Sequence, residues 1–232
     1  MKILFYGDPH GLFEPLFAAC ERDRPDHVVL VGDLELEIPF LDQLKPVLQA
    51  GIPAWYIIGN HDTDTTHHHD LLVKNCPQAN LGGRHIDLSD DGQKTSWPAP
   101  GGVRLAGLGG VFKGKIWYPR QGDETPNWHS PEDYCARNVR WNDWLPLQHR
   151  DSIFPSYLDY LACAPCDILV THEAPSTHDL GFPVIDRLAE TMKARLIVHG
   201  HHHIDYDGVT TGGVRVRGLA ARECWWLETD HL

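Results

Sequence analysis

Five short apolar runs recur along the chain, and each is closed by side chains able to hold a metal. Ile3-Leu4-Phe5-Tyr6 runs into Gly7-Asp8-Pro9-His10-Gly11, Val28-Val29-Leu30-Val31 into Gly32-Asp33, and Trp55-Tyr56-Ile57-Ile58 into Gly59-Asn60-His61-Asp62. Ile168-Leu169-Val170 leads to Thr171-His172-Glu173, and Leu196-Ile197-Val198 to Gly200-His201-His202-His203. Continuous apolar runs of this length predict buried strands, and the C-terminal edges of such strands are where α/β proteins hold ligands. Gathered on one edge, the tips offer enough oxygen and nitrogen donors for two divalent cations.

The spaces between the runs complete the pattern. The first third predicts strand 2–7, a helix near 14–24, strand 28–32, a helix near 39–49 and strand 54–59, with Gly51 and Pro53 marking the last connection. That alternation predicts a parallel sheet covered by helices. Residues 66–80 read as helix and loop, and 84–88 and 103–107 as strands of a second sheet. Strand 167–171, a helix near 182–193 and strand 195–199 resume the alternation, and strands at 203–209, 213–218 and 222–228 close it. Segment 112–162 stands apart. It mixes Trp117, Tyr118, Trp128, Tyr134, Trp141, Trp144 and Tyr157 with Lys113, Lys115, Arg120, Arg137, Arg140 and Arg150.

Composition narrows the class. At 232 residues and 42% apolar, the chain suits one globular domain with its own core. No apolar stretch approaches the roughly 20 residues of a membrane span. The first apolar run meets Asp8 too early for a signal peptide, and the six cysteines are scattered rather than framed as disulfides. A reduced, cytoplasmic protein is the expectation. The formal charge of −12 leaves no broad basic surface for a long nucleic acid. Two divalent ions held by Asp8, Asp33 and neutral donors would still make a pocket of about +2, by formal charge. Such a pocket suits a small anionic substrate.

Asp-x-His, Gly-Asp, Gly-Asn-His-Asp, His and Gly-His-x-His, in this order between residues 8 and 203, resemble the calcineurin-type metallophosphoesterase superfamily. The resemblance implies a four-layer αββα sandwich, two mixed β-sheets flanked by helices, with the metals at the C-terminal strand edges. It implies that Asp8, His10 and His203 hold one ion, that Asn60, His172 and His201 hold the other, and that Asp33 bridges them. Mixed imidazole and oxygen donors suit two transition-metal ions, Mn first, with Fe, Zn, Ni or Co as alternatives. Alternation along a strand would put His201 and His203 on one face and His202 on the other. The implied reaction is phosphoester hydrolysis by a hydroxide bridging the metals, on phosphodiesters or small nucleotides, with His61 facing the leaving oxygen.

The chain departs from the protein serine/threonine phosphatases of that superfamily. They carry Gly-Asp-x-Val-Asp-Arg-Gly where this chain has Gly32-Asp33-Leu34-Glu35-Leu36-Glu37. The Asp that orients their catalytic histidine and their phosphate-gripping Arg are both missing, with Glu35 one residue out of place. The pattern therefore sits nearer the phosphodiesterase and nuclease branches. A nuclease cutting single-stranded or flapped nucleic acid is the rival expectation, and a non-catalytic metal-binding scaffold a more distant one.

The remaining features read more plainly. His67-His68-His69 is expected at a solvated helix start, and Cys163 and Cys166 as buried structural thiols. His199 should pack or hydrogen-bond beside the site without coordinating. The whole chain, 1–232, is expected to be a single domain with an aromatic and basic insertion at about 112–162. The tryptophans there read first as core residues. Their second reading is a partial lid, with Trp117, Trp128, His149, Arg150 and His178 as candidate substrate contacts.

Overall fold

The protein is described by a computed structural model covering residues 1–88, 102–121, 124–138 and 145–232. Trp141, Trp144 and Arg140 of the aromatic segment lie outside the described residues. The elements, in order, are β1 (Lys2–Tyr6), α1 (Glu14–Asp23), β2 (His27–Leu30), α2 (Phe40–Gln43), α3 (Lys45–Gln49), β3 (Ala54–Tyr56) and α4 (Thr66–Val73). They continue with β4 (Arg84–Leu88), β5 (Val103–Leu108), α5 (Pro131–Asn138), α6 (Pro155–Leu161), β6 (Ile168–Thr171), α7 (Pro183–Thr191), β7 (Leu196–His199), β8 (Tyr206–Val209), β9 (Arg215–Gly218) and β10 (Cys224–Glu228).

Two mixed sheets result, as the resemblance implied. One has the order β10-β1-β2-β3 and the other β4-β5-β6-β7-β9-β8. β1, β2 and β3 run parallel while β10 lies antiparallel to β1, pairing Ile3 with Leu227 and Phe5 with Trp225. In the second sheet β5, β6, β7 and β9 are parallel, with β4 and β8 antiparallel at the edges.

The strand period of two sorts the core into layers. Ile3, Phe5, Val29 and Val31 of the first sheet meet Leu105, Ile168, Val170, Leu196 and Val198 of the second, filling the space between the sheets. Their neighbours Leu4, Tyr6, Val28 and Leu30 face outward against Leu16, Phe40, Val47 and Leu72 of the covering helices. On the far side Ala106, Leu108, Leu169 and Ile197 pack under α6, α7 and the aromatic segment. Strands buried on both faces have no polar side to show, which is why they read as unbroken apolar runs.

One predicted helix is divided. The stretch near 39–49 breaks at Leu44 (φ −91°, ψ 12°), because Pro46 has no N–H to continue α2 and instead occupies the first turn of α3. No described helix is long and apolar enough to cross a membrane.

Candidate metal centre

The five tips stand at the C-terminal ends of β1, β2, β3, β6 and β7, and their turns use left-handed backbone. Asp8, His10, Asp33, Glu35, His201 and His203 all have φ between 24° and 69°. Such conformations cost of order 1–3 kcal/mol each and persist only where surroundings hold them. Glycine makes room for the crowding. A Cβ on Gly32, itself at φ 107°, would strike His172 Nδ1, and one on Gly59 would strike Asp33 Oδ1.

These turns bring seven predicted side chains together. His10, Asp33 and His203 place ligand atoms within 4.8 Å of one another, and so do Asp33, His172 and His201. Asp33 belongs to both groups. Asn60 Oδ1 lies 3.2 Å from His172 Nε2, and Asp8 Oδ2 lies 3.3 Å from His203 Nε2. Glu173, His201 and His202 form a further grouping, in which Glu173 is anchored by the Phe112 N–H at 3.0 Å.

The donor atoms are arranged for a cation. His172 is fully buried and donates its Nδ1–H to Val31 O at 2.8 Å, which turns Nε2 toward Asp33 Oδ2 at 3.3 Å. His10 donates Nδ1–H to Glu35 Oε1 at 2.6 Å, leaving its Nε2 3.0 Å from His203 Nε2. Asp8 Oδ1 is buried with no hydrogen-bond partner. Lone pairs converging in a dry site need positive charge between them. Burial opposes a charge on His172, but Asp33 and Asp8 outweigh it and raise the ring to about 10. Burial likewise disfavours the Asp33 carboxylate, yet His172 and the His61 N–H hold it well below the usual range. The residues fit divalent metal binding.

His61 sits at the rim, its side chain 44% exposed, with Nδ1 2.7 Å from Asp64 Oδ2 and 3.9 Å from Glu35 Oε1. Burial works against its charged form, but the Asp64 hydrogen bond and the charges of Asp33 and Glu35 raise its pKa. Sequence reasoning missed Asp64, whose only signal was an acidic residue three places after His61. Glu35 orients His10 rather than His61. Asp62 was also missed. Its buried carboxylate accepts from Leu34 N and Glu35 N through Oδ1 and from Gly59 N through Oδ2, tying two loops together.

Several expectations need correction. Residues 201–203 form no strand, and left-handed bends at His201 and His203, not pleating, aim the rings. His202 instead stacks on His178, centroids 4.0 Å apart and 8° from parallel. His178 also accepts a hydrogen bond from Leu180 N, so it shapes this loop. Trp117 is buried beside Phe112, with its indole N–H donated to Glu124 O. Trp128 packs edge-on to Tyr134. His149 is buried against Tyr134, and Arg150 donates to Leu145 O and meets His69. As placed, Trp117 and His149 are buried in the core, and the half-buried Trp128 and Arg150 are engaged with Tyr134 and with Leu145 O, so all four serve packing and loop structure. Of the histidine run, His67 is exposed and His69 buried; of the cysteine pair, Cys163 is exposed and Cys166 buried.

Comparison with known proteins places the family and the fold. The profile of the calcineurin-like phosphoesterases matches residues 1–205. An uncharacterised protein of Haemophilus influenzae is 36% identical, over 99% of this chain and 96% of its own. A crystal structure from Thermus thermophilus superposes with a TM-score of 0.58 at 16% identity, covering 98% of both chains. A dimetal phosphatase from Danio rerio also superposes at 0.58, with 12% identity, covering 95% of this chain and 87% of that one.

Proposed function

This chain belongs to the calcineurin-like phosphoesterase family, and from that premise we propose that it is a dinuclear phosphoesterase acting on phosphodiesters or small nucleotide esters. The observation that carries the reading is Asp33, the one carboxylate among the described residues common to two groups of converging donors. Asp8, His10 and His203 would hold one cation, Asn60, His172 and His201 the other, and Asp33 both; manganese is the first candidate. Bound divalent ions supply Lewis acidity and lower the pKa of water.

The protein's own groups do the rest. Asp8 and Asp33 would partly neutralise the cations and leave a net positive pocket for the phosphate, against a chain charge of −12. Val31 O and Glu35 fix the tautomers of His172 and His10, so each presents its Nε2 inward. Asp64 does the same for His61, holding Nδ1 and leaving Nε2 to give its proton to the leaving oxygen. We take the chain as a single domain with 112–162 as an insertion, acting in the cytoplasm.

The test is a screen of metal-stripped protein on nitrophenyl mono- and diesters, nucleotides and single-stranded DNA, with Mn, Fe, Zn, Ni and Co supplied separately. Metal-restored turnover, greater on diesters, is expected. A preference for DNA that collapses steeply with salt would favour a nuclease, and metal-independent turnover would defeat the reading.

A further inference from the structure

A cavity of about 350 Å³ opens directly beside the metal edge. Asn60 and His201 form its inner wall, and Phe112, Tyr118, Leu180 and Phe182 its apolar sides. Phe112 and Phe182 lie with ring centroids 4.5 Å apart, and Tyr118 stands at 89° to Phe182 at 5.3 Å. These contacts fix the aromatic walls before any ligand arrives. Tyr118 and Leu180 are nonetheless 49% and 55% exposed, at its mouth. Glu173 and His202 add the few polar groups that a mostly apolar site uses to orient a ligand. A second cavity, under Ile58, His69 and Arg150, borders none of the seven proposed metal ligands.

We propose that this aromatic cavity binds a planar ring, aryl or nucleobase, carried on the group that stays attached to phosphorus. The proposal rests on the phosphoesterase reading. A ring fits because flat apolar faces match aromatic walls, while Tyr118 and Leu180 gain burial only when something covers them. It belongs to the retained group because His61 contributes nothing to these walls. His61 lies against His10, ring centroids 5.5 Å apart, and against Asp64. The cavity also corrects the lid reading: segment 112–162 reaches the site through Phe112 and Tyr118, and the buried Trp117 packs edge-on behind Phe112.

Three esters with one leaving group test this: 4-nitrophenyl methyl phosphate, 4-nitrophenyl phenyl phosphate and thymidine 5′-(4-nitrophenyl phosphate). Wild-type KM should be about tenfold or more lower for a ring-bearing ester than for the methyl ester, as burial of one ring allows. Preference for the thymidine ester identifies a nucleobase site, and preference for the phenyl ester a simple aryl site. In Tyr118→Ala/Leu180→Ala the ratio should fall to about one. Tyr160→Ala, exposed on α6 away from the cavity, should keep it. Calorimetric binding of phenylphosphonate against methylphosphonate to the metal-loaded proteins reads the same preference without turnover. If wild type hydrolyses none of the three esters, the phosphoesterase reading fails and the phosphonates alone decide the cavity. Ratios within twofold in wild type, or unchanged in the double variant, overturn the proposal.

Discussion

His61 and His199 both lie next to the metal edge, and their hydrogen bonds send them to different tasks. His199 is buried, donates Nδ1–H to Gly200 O and accepts from Tyr206 OH at 2.7 Å, while burial pushes its pKa down to about 3. Both nitrogens are used in hydrogen bonds that hold the loop. His61 keeps Nε2 free. His61→Ala should therefore retain both metals yet lose roughly 10²–10⁴-fold in rate, the usual span for one general acid. The loss should be smaller with nitrophenol as the leaving group, which needs little protonation. Equal losses for good and poor leaving groups would reduce His61 to a positioning role. The convergence of the seven candidate donors was legible because each follows an apolar run. Asp64 and Glu35 were not, since which carboxylate meets which histidine depends on backbone bends, such as φ 49° at Glu35, that no spacing rule reports.

At the scale of elements, the strands were legible and the loops were not. Apolar runs declare buried strands, whereas the loop after β7 aims His201 and His203 by left-handed turns that a strand period cannot foresee. The splitting of the 39–49 helix could have been read from Pro46. The loops themselves are tied by Asp62, fully buried and outside both donor groups, which joins Leu34 N and Glu35 N of one tip to Gly59 N of the next. Burial and the charge of Asp33 push its carboxyl up to about 7, and the Gly59 and Glu35 N–H groups oppose that rise. Asp62→Ala would leave those N–H groups unpaired in a dry site, at about 1–3 kcal/mol for each buried donor. Chemical denaturation should show a loss of roughly 3 kcal/mol or more, with weaker metal binding. A loss under about 1 kcal/mol would mean that the loops keep their shape without the clamp.

Across the whole molecule, the two sheets face their loaded edge the same way, so residues from 8 to 203 meet at one place although the chain is acidic overall. That convergence was legible from the order of the motifs. The placement of the aromatic segment was not, because tryptophan content alone does not say which face is buried; Trp117 went to the core and Tyr118, one residue on, to the cavity mouth. The central claim is that one carboxylate joins two metal sites. It is tested most directly by metal analysis of Asp33→Asn beside wild type after identical reconstitution with manganese. The account predicts two ions per wild-type chain, fewer than one in the variant, and loss of diester turnover with them. Two ions held at wild-type affinity in Asp33→Asn would contradict it.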